Sequence, residues 1–285
     1  MNANEKLIVD KIKTVIDSFP FDNYLSPDFP HEALTLVTSV VNILGDFKGK
    51  LLDIGSGSMN FTAVFAKCGF DCYAVDDLND PWHLIGNNVN LLKKYASDLN
   101  ITFHRQDPSD YTIPFEKESF DVVMLNAVIE HLHESPRNLL NAAFEFTKPQ
   151  GIVVVTMPNS VNLRKRLSVL LGKTNYPDIK GFYHSKGTWR GHIREYTLAE
   201  TVYILKEVGG EVILSKTFHL NINSKLTNRV VRKIYELITA VVPTLRDGIL
   251  VIARKPLNWN PDVFNEDEYW KSISNFVPKG VILKN

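Results

Sequence analysis

The chain is 285 residues long, 44% apolar and 22% charged, which is enough apolar residue to bury a sizeable core. Its 32 basic and 32 acidic side chains cancel, so no net field steers it toward nucleic acid or an anionic membrane. Cys68 and Cys72 are the two cysteines, and with no neighbouring Cys or His to complete a zinc site they read as reduced core thiols.

The amino terminus, MNANEKLIVDKIK, lacks the apolar run of a secretory leader, and no later run approaches membrane-spanning length. This predicts a cytoplasmic protein. Leu7, Ile8, Ile12, Val15, Ile16 and Phe19 recur at helical spacing, and FPFDNYLSPDFP then breaks the helix with prolines. Ala33, Leu36, Val37, Val40, Val41 and Leu44 mark a second helix that ends at Gly45. A strand at Leu51 to Ile54 opens an alternating series. A helix over Phe61 to Lys67, a strand at DCYAVD, a helix over Leu91 to Leu99 and strands at ITFHRQ and FDVVMLN follow. A helix from Ser135 to Phe146 and a strand at GIVVVTMP complete this part. Such alternation implies right-handed crossovers and a parallel sheet covered on both faces.

Residues 159–196 break the rhythm and read as an insertion after the fifth strand. A helix at Leu198 to Val208, a strand at EVILSKTFHL, a helix at Leu226 to Val241 and a strand at GILVIARK close the series. No periodic element is evident beyond Pro256. The organisation expected is a helical cap over 1–49, an α/β domain over 50–258 containing an insertion or lid at 159–197, and a tail over 259–285.

The turn in LLDIGSGSMN carries the chemistry. Gly55 and Gly57 let the backbone turn sharply and approach a ligand, and the helix behind presents its N-terminal amides. Asp53 sits in the strand before the turn, where it can face a cationic group. Asp76 ends the second strand, where a carboxylate can accept two ribose hydroxyls. A dinucleotide fingerprint would need a third glycine, but Asn60 stands there.

These segments together resemble the class I S-adenosylmethionine-dependent methyltransferases over roughly Leu51 to Lys255. LLDIGSGSMN is similar to their first motif and AVDD to the acidic end of their second strand. QDPSDYTIPFEKESFDVVMLNAVIEHL resembles the region from an Asp after strand three to a Glu-His after strand four. TKPQGIVVVTMPN is similar to the fifth-strand segment, with Gln150 where a second glycine is usual, and HIREYTLAE resembles a late segment of members acting on small molecules and glycans.

The resemblance implies a Rossmann-like sheet of order 3-2-1-4-5-7-6 with strand seven antiparallel. It implies S-adenosylmethionine as donor and S-adenosylhomocysteine as product. Asp53 with Gly55 and Gly57 would hold the methionine part, Asp76 the ribose, and Asp107 the adenine amine. Asn126 would lie beside the transferred methyl. The reaction expected is O-methylation of a small-molecule, sugar or lipid-linked acceptor, with nucleic acid not expected because NAVI replaces the Pro-Pro clamp used on base amines. A non-catalytic donor-binding sensor and an NAD-dependent oxidoreductase are the alternatives.

Glu130 and His131 are the candidate catalytic pair, His131 as general base, acceptor ligand or structural residue. With His133 and Glu134 they suggest no metal site, because imidazoles two positions apart point in different directions. Asp77 reads as solvated beside Asp76. The insertion is basic, with Arg164, Lys165, Arg166, Lys173, Lys180, Lys186, Arg190 and Arg194 against Asp178 and Glu195, and with aromatic residues interleaved. As a lid it would place His192, Arg194 and Tyr196 near the acceptor mouth and Trp189 or Arg190 on its rim. The amphipathic NRVVRKIYELITAVV is expected to pack on the sheet rather than touch a membrane.

Overall fold

The computed structural model describes residues 1–106, 112–176, 179–220, 222–226 and 228–273. Seven strands form one sheet. Their order in space is β3 (Thr102–Arg105), β2 (Asp71–Asp76), β1 (Lys50–Ile54), β4 (Phe120–Asn126), β5 (Thr147–Pro158), β7 (Gly248–Arg254) and β6 (Glu211–Phe218). The first five in chain order pair in parallel, and β7 runs antiparallel to both β5 and β6. This is the expected order, with the seventh strand antiparallel as expected.

Successive side chains on a strand point to opposite faces, and the apolar residues obey that period. Leu51, Val122, Met124, Ile152, Val154, Leu250 and Ile252 bury one face. Leu52, Val123, Leu125, Val153, Val155, Ile249 and Val251 bury the other. Each such aliphatic side chain contributes about 1.5–3 kcal/mol on burial, so a polar substitution in either set removes support from a whole layer.

The first face is covered by α1 (Ala3–Ser18), α2 (Phe29–Leu44), α3 (Asn60–Cys68) and α4 (Asn88–Asp98). Asn2 and Glu5 form a reciprocal capping box that starts α1, and Gly45, in the left-handed region at φ 86°, ends α2. Ile8, Ile12, Val15, Val37 and Val40 share a cluster with Leu51 and Met124, so the N-terminal helices complete the core layer of the sheet. On the second face lie α5 (Arg137–Phe146) and α8 (Leu198–Glu207), the latter started by a Thr197–Glu200 capping box.

Three short helices had no clear sequence signal: α6 (Leu163–Leu170) and α7 (Ile179–Tyr183) in the insertion, and, beyond α9 (Ile222–Lys225) and α10 (Arg229–Val241), α11 (Glu266–Ile273) in the tail. None of the three buries a residue, so none carries a periodic apolar stripe facing a core. The insertion is closed at its neck, where Asn159 and Tyr196 pair in a parallel bridge.

The expectation for α10 is corrected. It turns Tyr235 and Thr239 inward and leaves its apolar stripe outside, with Val230, Leu237 and Val241 at 67%, 70% and 83% exposure. The inward contact is polar: the Tyr235 hydroxyl donates to the buried Asp247 at 2.5 Å, and Arg164 at the start of α6 pairs with the same carboxylate. Periodicity identifies an apolar face, but the buried Asp247 decides which way it turns.

Candidate active site

The strand ends Ile54, Asp76, Asn126 and Pro158 gather at one edge of the sheet. There the chain leaves β1 through Gly55 at φ 74° and Gly57 at φ 52°. A Cβ on Gly55 would sit 2.7 Å from Val128, whereas the space before Gly57 is open for at least 4 Å. Gly55 is therefore a packing glycine, and Gly57 presents bare backbone to whatever fills that space. The first turn of α3 has no side-chain cap, so its amides remain available to an anionic group.

Asp76 braces this turn. Its Oδ2 accepts the Gly57 N–H and its Oδ1 the Leu78 N–H, both at 2.7 Å. Burial pushes its carboxyl up to about 6 despite those two bonds. Asp53 is deeper. Thr62 on α3 donates to its Oδ2 at 2.5 Å, its Oδ1 has no partner, and burial raises its carboxyl to about 7. A cationic ligand group would resolve that unpaired oxygen. Both acids thus sit with spare acceptor capacity beside an open glycine turn.

A cavity of about 280 Å³ opens at the ends of β4 and β5. Asn126, Glu130, Thr156 and His192 line it, with Glu32 of α2 and Phe61 of α3 on the other side. Helix α2 and the insertion thus meet around one hollow. A second hollow of about 350 Å³, bordered by Lys93, Ser97 and Arg105, lies between α4 and the edge strand β3, away from the acids and the glycine turn.

The insertion is sewn onto the turn that follows β4. The Glu130 carbonyl accepts the N–H groups of Ile193 at 2.7 Å and Arg194 at 3.2 Å. His131 Nδ1 meets the Arg190 carbonyl at 2.8 Å, and His133 Nε2 meets the Trp189 carbonyl at 2.9 Å. A carbonyl only accepts, so His131 carries its hydrogen on Nδ1 and, when neutral, keeps an acceptor lone pair on Nε2. The His131 and His192 rings stand edge to face, with centroids 4.8 Å apart. The Glu130 side chain is fully buried with both oxygens lacking a hydrogen bond, and burial lifts its carboxyl to about 8.

The expected site residues are therefore sorted by the fold. Asp53, Gly55, Gly57 and Asp76 share the turn, while Asn126, Glu130 and His192 line the cavity and His131 adjoins it. Asp107 lies outside the described residues. Asp77 is not merely solvated: its two oxygens take the Arg190 guanidinium at 2.7 and 2.8 Å, and Asp80 takes the Nε at 3.0 Å. Arg190 is thereby fixed to the segment after β2 and does not line the cavity. Nor do the other three residues expected at its mouth. Arg194 pairs with Glu200 and lies over the Tyr196 ring, Tyr196 is buried in the core, and the Trp189 indole donates to the His192 carbonyl.

Sequence reasoning missed Glu32, Thr156 and His83. Thr156 donates to the Asn126 side-chain oxygen, and His83 is buried with neither ring nitrogen partnered. His83 packs at a tilt against Trp82, which packs in turn on Tyr24 from the N-terminal linker. The Tyr24 hydroxyl faces Ser58 of the glycine turn, and burial pushes its pKa up. Thr156 lies in the quoted fifth-strand segment without a role read from it, and Glu32 and His83 sit in no motif.

A family profile described as a methyltransferase domain matches residues 29–213. Among curated relatives, an uncharacterized methyltransferase of Mycobacterium leprae is 31% identical over 106 residues, 37% of this chain and 36% of that protein. A ubiquinone biosynthesis O-methyltransferase of Cereibacter sphaeroides is 26% identical over 139 residues, 49% of this chain and 47% of the relative. The alignments thus span less than half the length of these relatives. Among solved structures, a Pyrococcus horikoshii protein superposes with TM-score 0.53 at 16% identity, covering 85% of this chain and 98% of that one. An S-adenosylmethionine-dependent methyltransferase of Methanosarcina mazei gives 0.52 at 16% identity, covering 78% and 98%. At such identities these neighbours report the fold, and it is the family match across the glycine turn and both acids that carries the conclusion. The chain belongs to the class I S-adenosylmethionine-dependent methyltransferases.

Proposed function

We propose that this methyltransferase moves the sulfonium methyl of S-adenosylmethionine onto a hydroxyl oxygen of a glycan or lipid-linked acceptor. The observation that carries the reading is the cavity at the ends of β4 and β5 that has Phe61 of α3, Glu130 and His192 in its wall, with the His131 ring against that of His192. The acceptor oxygen attacks the methyl carbon in line, the C–S bond breaks, and its electron pair returns to sulfur to give neutral S-adenosylhomocysteine. The hydroxyl is ionised at the Glu130–His131–His192 end. Asp53 and the Gly55–Gly57 backbone hold the methionine part and Asp76 the ribose. Positioning of two reactants in one cavity can supply about 7–11 kcal/mol of barrier reduction.

Oxygen is favoured over nitrogen because the cavity wall offers groups that can take or displace a hydroxyl proton. The ubiquinone biosynthesis O-methyltransferases among the relatives support the same choice. A lipid-linked acceptor is supported by the outward apolar stripe of α10, flanked by Arg229 and Lys233. The test is incubation with S-adenosylmethionine and a panel of phenols, free glycans, polyprenyl-linked sugars and amines, scored by mass. Methyl gain by a hydroxylated glycan or lipid-linked member supports the reading; transfer only to amines contradicts it.

A further inference from the structure

We propose that Glu130, His131 and His192 form a binding site for one divalent first-row transition-metal ion, open toward the cavity. The three side chains come from two distant segments, and one donor atom of each lies within 4.8 Å of the others. Ligand atoms held about 2.0–2.2 Å from one tetrahedral ion lie about 3.3–3.6 Å apart, so side-chain movements on the order of 1 Å complete the set.

Three independent features point to a cation. First, Glu130 is a fully buried carboxylate with no hydrogen bond to either oxygen, an arrangement that a positive charge would relieve. The neighbouring cations are engaged elsewhere: Arg190 with Asp77 and Asp80, Arg194 with Glu200, Lys165 with Glu195. Second, His131 is held through Nδ1 by the Arg190 carbonyl, which aims the basic Nε2 away from that bond. Third, His192 Nδ1 meets the Glu195 carboxylate at 2.8 Å. A backbone carbonyl on one imidazole and a carboxylate on the other are the outer partners that orient metal-binding histidines and raise their basicity.

Two imidazoles and one carboxylate suit Zn²⁺, Mn²⁺ or Fe²⁺ better than Mg²⁺, which favours oxygen ligands and retained water. Three protein ligands leave coordination positions for the substrate. The role of the ion rests on the cavity being the acceptor site, but its binding does not. An acceptor hydroxyl on the ion would have its pKa lowered, release its proton to water and attack the methyl carbon as an alkoxide. His131 is then a ligand of the ion, and no separate base is needed.

The test uses the full chain, treated with a chelator and dialysed, then titrated with Mn²⁺ and with Zn²⁺ by calorimetry, and with Mn²⁺ by electron paramagnetic resonance. One ion per chain is expected. Glu130→Gln and His192→Ala should weaken binding by at least about a hundredfold, and Glu195→Gln, which removes the outer partner of His192 together with the Lys165 ion pair, by about 10–100-fold. His184→Ala, on the exposed surface of the insertion, should leave it unchanged. Retained S-adenosylmethionine binding shows that each variant is folded. Absence of ion binding by the folded wild type, or binding indifferent to both ligand variants, overturns the site. Methyl transfer undiminished by the chelator overturns the role assigned to the ion while leaving hydroxyl methylation standing. Ion binding without any hydroxyl methylation supports the site and counts against the function proposed above.

Discussion

Asp76 accepts the amides of Gly57 and Leu78 through its two oxygens, so the acid assigned to the ribose also shapes the turn assigned to the methionine part. Asp76→Ala should therefore weaken donor affinity by about 1–3 kcal/mol, from a starting point near −8 kcal/mol for micromolar binding, as calorimetry would read directly. Glu130 gives a second prediction at this scale. Burial raises its carboxyl from 4.5 to about 8, so between those values the folded chain holds a proton that the unfolded chain has lost. Stability that is intact below pH 4.5 falls as pH rises toward 8, by an amount on the order of a few kcal/mol. Urea midpoints at pH 5 and pH 8.5, measured on metal-free protein, should differ less for Glu130→Gln than for wild type. Equal differences would mean that the carboxyl is solvated in the fold. Gln150 shows how a motif deviation is accommodated: it stands at φ 68°, where the family uses glycine, and its N–H still donates to the Lys255 carbonyl at 2.9 Å.

Among the elements, the insertion bears most on the proposed function. It is pinned at four points to the turn after β4 and by Arg190 to Asp77 and Asp80. Replacing residues 173–190 with a short glycine linker should spare donor binding, since Gly57, Asp53 and Asp76 keep their contacts, but abolish transfer by removing the support of His131. Normal transfer by a folded deletion would reduce the segment to a surface loop. The sheet strands and the larger helices other than α10 were legible because their apolar period matches a buried face, as in Val153 and Val155 against Ile152 and Val154. Helices α6, α7 and α11 were not, because they bury nothing. The glycine turn and its acids were legible as a motif. Asp77 was not, because its partner Arg190 is a long-range ion pair of the kind that local spacing does not encode. Nor could spacing reveal that Tyr196 is buried or that His192 faces Glu130.

At the scale of the whole molecule, the sheet divides two cores, and the glycine turn, the cavity and the neck of the insertion all lie at the C-terminal ends of its parallel strands. Among the described residues no helix is long and apolar enough to cross a membrane, yet α10 exposes a continuous apolar stripe. With zero net charge the chain has no long-range attraction to a bilayer, so any binding must come from that stripe and its basic flank. Wild type should co-sediment with anionic phospholipid vesicles, and Leu237→Glu should release it without changing donor affinity; equal sedimentation of both would remove the support for a lipid-linked acceptor. The central claim, that the methyl of S-adenosylmethionine passes to a hydroxyl at the His131 end of the cavity, is tested most directly with a ¹³C-labelled donor methyl. The expected result is an oxygen-linked ¹³C methyl on the acceptor and stoichiometric S-adenosylhomocysteine, with His131→Ala slowing the reaction about 10²–10⁴-fold at unchanged donor affinity and the loss shrinking at high pH. A nitrogen-linked label, or a His131→Ala variant as fast as wild type at every pH, would contradict it.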